Sequence, residues 1–61
     1  MITGRDLREA RQRKNLTQEE VADMAKYSVR QISRLENDIN IVQLQRNVEL
    51  LLCLDLVRLN D

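Results

Sequence analysis

Arg30 and Arg34 stand four residues apart, the spacing that stacks two side chains on one face of a helix. A guanidinium fork fits the O6 and N7 acceptors of guanine in the major groove, the commonest specific contact between side chain and base. Val29 suits a thymine methyl, Ser28 is within reach of a base edge or a phosphate, and Ser33 falls on the same face. Gln18 opens a separate helical run, and a helix start offers free amides and a positive dipole end to a phosphate. Taken singly, each of these residues is better explained as solvated surface. Their placement together on a helix-turn-helix frame is what points to DNA. Catalysis and metal or cofactor chemistry have no such support: there is no His, Cys53 is the single cysteine and lies in an apolar run, and carboxylates form no paired site. Cys53 therefore reads as a small buried hydrophobe.

These side chains need a scaffold, and 61 residues allow one domain near the lower size limit for independent folding. With no Phe, no Trp and one Tyr, the core must come from Leu, Ile, Val, Ala and Met. Such a core supplies on the order of 3–5 kcal/mol, so association with a second copy is expected. Helix starts are marked four times. Thr17 with Glu20 forms a capping box framed by Leu16 and Val21, the staple positions. Ser28 with Gln31 repeats it between Tyr27 and Ile32, and Thr3 with Asp6 between Ile2 and Leu7. Asn40 with Gln43, between Ile39 and Leu44, is a looser copy. The pattern predicts an all-α fold with helices near 4–14, 18–25, 29–36 and 41–53. Lys26 and Tyr27 alone separate the second helix from the third N-cap, and so short a connection makes the two cross steeply, as in a helix-turn-helix. Leu7, Ala10, Val21, Ala22, Ala25, Ile32 and Leu35 fall on the inward faces.

The net charge is zero, which is not the usual footprint of a nucleic-acid binder. Its distribution differs from its sum. Arg5, Arg8, Arg11, Arg13 and Lys14 crowd the first helix, and Lys26, Arg30 and Arg34 meet no acid between residues 24 and 35. Glu19, Glu20 and Asp23 gather between these segments. The apolar run Val48–Leu54 is too short to cross a bilayer, and no signal-peptide pattern opens the chain. A cytoplasmic protein without membrane attachment is expected.

The stretch Leu16-Thr17-Gln18-Glu19-Glu20-Val21-Ala22, then Ser28, then Ile32-Ser33-Arg34-Leu35-Glu36-Asn37 resembles the Xre/Cro-repressor family of helix-turn-helix regulators over nearly the whole chain. The resemblance implies a single domain over 1–61 with the helix-turn-helix at 17–36. It also implies that Gln18 holds a phosphate and that Ser28, Val29, Arg30 and Arg34 face bases. Arg11 and Glu36 match a pair that bridges the first helix to the end of the third. Two positions depart from the pattern: Lys26 and Asp38 stand where glycine is usual. A left-handed backbone at Lys26 would cost roughly 1 kcal/mol, so a remodelled turn is one expectation.

The tail Leu54-Asp55-Leu56-Val57-Arg58-Leu59-Asn60 is similar to that of HipB-type antitoxins, which end in a short strand paired across a dimer. On that likeness residues 48–60 form a dimerisation tail, with Leu50, Leu54, Leu56, Val57 and Leu59 at the interface. A fifth short helix is the other reading of the same segment. The partners implied are double-stranded DNA bearing a palindromic operator, a second copy of the chain and, under the antitoxin likeness, a kinase-like toxin. The expected function is an autoregulatory repressor. A free-standing phage-type repressor and a helix-turn-helix used only for protein contact are the alternatives.

Overall fold

A computed structural model of the chain describes residues 1–39 and 41–58. Its elements are α1 (Gly4–Arg13), α2 (Gln18–Ala25), α3 (Val29–Asn37) and α4 (Val48–Cys53). Each of the first three starts at a complete capping box. Thr3, Thr17 and Ser28 accept the amides of Asp6, Glu20 and Gln31, whose side chains accept the N-cap amides in return. Helix α1 packs on α3, and α2 packs on both α3 and α4. Leu7, Ala10, Val21, Ala22, Ala25 and Ile32 are buried with Val42, Leu50, Leu51 and Leu54. Leu35 is only half-buried against this core. No helix of the described residues is long and apolar enough to cross a membrane.

Three of the four helices close in the same way. The amides of Leu16, Tyr27 and Leu56 return to the carbonyls of Arg11, Ala22 and Leu51 at 3.1, 2.7 and 2.9 Å. The residue before each is left-handed: Asn15 at φ 56°, Lys26 at φ 61° and Asp55 at φ 57°. This is the Schellman closure, with an apolar residue after the left-handed one, and here it is built without glycine. The turn at Lys26 is therefore not remodelled; it keeps the left-handed geometry and bears the steric cost. Helix α3 ends differently, with Asp38 extended at φ −78° and ψ 130°, so this position has no need of glycine.

The single glycine has another task. Gly4 is buried at the first position of α1, and a Cβ there would collide with the carbonyl oxygen of Leu35 and come within 2.8 Å of those of Glu36 and Asp38. The start of α1 thus rests directly on the end of α3. Beside this contact Val42 donates its amide to the Ile2 carbonyl at 2.8 Å, and Thr3 forms an antiparallel bridge with Ile41.

Those last contacts correct the expected fourth helix. With 41–42 held in extended pairing to 2–3, no helix can start at 41, and α4 begins only at Val48. Asn40, the expected cap, lies outside the described residues. Asn47 stands at the actual N-cap but makes no capping bond. Its Oδ1 accepts the Tyr27 hydroxyl at 2.6 Å and its Nδ2 donates to the Gln43 carbonyl at 2.9 Å. The tail is corrected too. Residues 54–57 form turns and bends and residue 58 has no regular structure, so neither the strand nor the fifth helix is present among the described residues. Leu50 and Leu54 are 1% and 3% exposed within the single chain. Leu56 and Val57 fold back half-buried on the core, and Leu59 and Asn60 lie outside the described residues.

Candidate nucleic-acid interface

Burial of Ile32 and half-burial of Leu35 turn the other face of α3 outward. Ser28, Val29, Arg30 and Arg34 are all exposed there, and Ser33 is half-buried. Val29 is 40% exposed, an apolar group left at the surface between a hydroxyl and a guanidinium. Among the described residues, neither Arg30 nor Arg34 is paired with a carboxylate. The structure thus brings five of the six expected contact residues onto or beside one face of α3.

Gln18, the sixth, sits at the start of α2, half-buried, with Nε2 donating to Glu36 Oε1 at 3.2 Å. That bond belongs to a cluster that ties three helices together. Arg11 donates from Nε to Glu36 Oε2 at 2.7 Å and from Nη2 to Oε1 at 3.1 Å, while Nη1 donates to the Leu16 carbonyl at 2.9 Å. The Glu36 side chain is 2% exposed. Burial alone would raise its pKa. The bond from Arg11, then that from Gln18, then the Arg11 charge and a contribution from Arg8 outweigh the burial, and the carboxyl lies below its ordinary range. The Arg11 guanidinium is held charged chiefly by its bond to Glu36.

Two residues of this cluster escaped the sequence reading. Arg8 places Nε 3.5 Å from Glu36 Oε1 and donates from Nη2 to Asn37 Oδ1 at 2.7 Å. Asn37 in turn donates from Nδ2 to the Ser33 carbonyl at 2.9 Å. The first link spans α1 to α3, a separation no local pattern reveals; only the crowding of arginines on α1 was visible.

A basic face on a short helix, exposed and without a carboxylate partner among the described residues, set against a second helix by a three-residue turn with Lys26 left-handed, has the form of a helix-turn-helix. A helix-turn-helix family model matches residues 7–59, and the chain belongs to that family, the Xre/Cro type of DNA-binding transcription regulators. No curated protein and no solved structure matches the chain.

Proposed function

We propose that the chain is a sequence-specific repressor that binds a palindromic operator as a homodimer and controls its own promoter. The observation that carries this is the state of Arg30 and Arg34: both exposed, four residues apart, and without a carboxylate partner among the described residues. Cations left unneutralised on a helix face are poised for an acceptor from outside. Ser28, Val29 and Ser33 supply the rest of the readout, and Gln18 takes a phosphate with the Nε2 hydrogen that its bond to Glu36 does not use. The second copy packs against exposed Ile41 and Leu44 together with the half-buried tail residues Leu56 and Val57, since Leu50 and Leu54 are spent inside the chain. An antitoxin role rests on the tail likeness, and with no strand over residues 54–58 the free-standing repressor is the simpler reading.

The test is a gel shift on DNA upstream of the chain's own gene at two salt concentrations, with Arg30→Ala and Arg34→Ala beside the wild type. Each variant should lose about 1–3 kcal/mol of specific binding and relax the base preference at one position per half-site. Equal loss on operator and random duplex would make both arginines phosphate contacts. No shift with any duplex would favour a helix-turn-helix used for protein contact, the reading that neutral net charge supports.

A further inference from the structure

Arg8 contacts none of the residues proposed to face DNA, yet each of its partners touches one: Asn37 holds the Ser33 carbonyl, and Glu36 accepts from Gln18. The Arg8 side chain is 43% exposed. Nη2 donates to Asn37, which holds the Ser33 carbonyl, and Nε faces the same Glu36 oxygen that Gln18 reaches. The guanidinium is therefore set between the start of α2 and the outer face of α3, and these contacts engage two of its five N–H groups. Glu36 does not depend on it: two bonds from Arg11 and one from Gln18 already satisfy the carboxylate at shorter distances. Glu36 also cannot neutralise both cations. Arg8 and Arg11 around a single carboxylate leave one positive charge in excess, and of the two arginines Arg8 is the one that reaches solvent, with Arg11 only 14% exposed.

In the orientation proposed above, a phosphate held at Gln18 would lie beside Arg8, because the two side chains share one Glu36 oxygen. We infer that Arg8 is a DNA-backbone contact beside Gln18, oriented in advance by Asn37 and Glu36. The inference rests on the DNA orientation proposed above. A phosphate contact carries charge and no base information, so its removal acts on salt dependence and leaves sequence preference alone.

Equilibrium binding to a random-sequence duplex over a salt series tests it, with Arg8→Ala and Arg8→Lys compared to the wild type and thermal melts run alongside. Arg8→Ala should reduce the slope of log K against log salt by about 0.9, the value for one phosphate. Arg8→Lys should keep the wild-type slope. If the alanine variant melts below the assay temperature, Arg8→Gln takes its place, able to donate to Asn37 without the charge. A neutral variant with the wild-type slope, or one with an altered base preference in a selected pool, would overturn the assignment. Failure of the wild type to bind any duplex would overturn the underlying orientation, and would be seen before any variant is compared.

Discussion

At Gly4 a single hydrogen separates the backbone of one helix from the carbonyls that end another. Gly4→Ala should therefore destabilise by about 1–3 kcal/mol or more, because the obstacle is main chain and cannot swing aside; a thermal melt within half a kcal/mol of wild type would place the two helix ends further apart. Glu36 sets the behaviour in acid. Its pKa is lower folded than unfolded, so unfolding in acid takes up a proton. The stabilisation is complete above the unfolded value of about 4.3 and is lost as pH falls through the lower folded value. Melting temperature should hold from neutrality to about pH 5 and drop below about pH 4, with a shallower drop in Glu36→Gln. Arg11→Ala should cost about 3 kcal/mol at neutral pH, since Arg8 and Gln18 only partly compensate a buried carboxylate. Arg11→Met combined with Glu36→Leu should recover much of that loss. A cost near zero for the single change would be the value of a surface pair.

Among the elements, the turn between α2 and α3 carries the clearest unrelieved strain. Lys26 is left-handed with a full side chain, whereas Asn15 and Asp55, in the same conformation, are of types that tolerate it better. Lys26→Gly should stabilise by about 0.5–1 kcal/mol, net of glycine's greater freedom when unfolded, and Asn15→Gly by less; chemical denaturation of the two variants decides. The first three helices were legible because their starts are written in four adjacent residues, each box closing on itself. The fourth was misplaced because Asn40 and Gln43 repeat those letters, while the backbone beyond them pairs with Ile2 and Thr3 instead. Pairing over that distance leaves no trace in a local window. The exposed face of α3 was readable from the spacing of Ile32 and Leu35. Arg8 and Asn37 were not, since their roles exist only once α1 lies across α3.

For the molecule as a whole, the contacts at Ile2, Thr3 and Gly4 impose an order on folding. They join the first residues of the chain to 41–42 and to the end of α3, closing a loop that contains α1, α2 and α3. Loop closure on that scale costs entropy before it is rewarded, whereas α2 and α3 meet across a three-residue turn and can associate early. The N-terminal junction should thus form after the rate-limiting step. Ile2→Ala should speed unfolding and leave the folding rate nearly unchanged, while Val21→Ala should slow folding; the two arms of a chevron plot separate these outcomes. On a ribosome the same geometry makes the opening residues wait. Residues 2–4 leave the tunnel before residue 42 and find their partners only after it has followed them out.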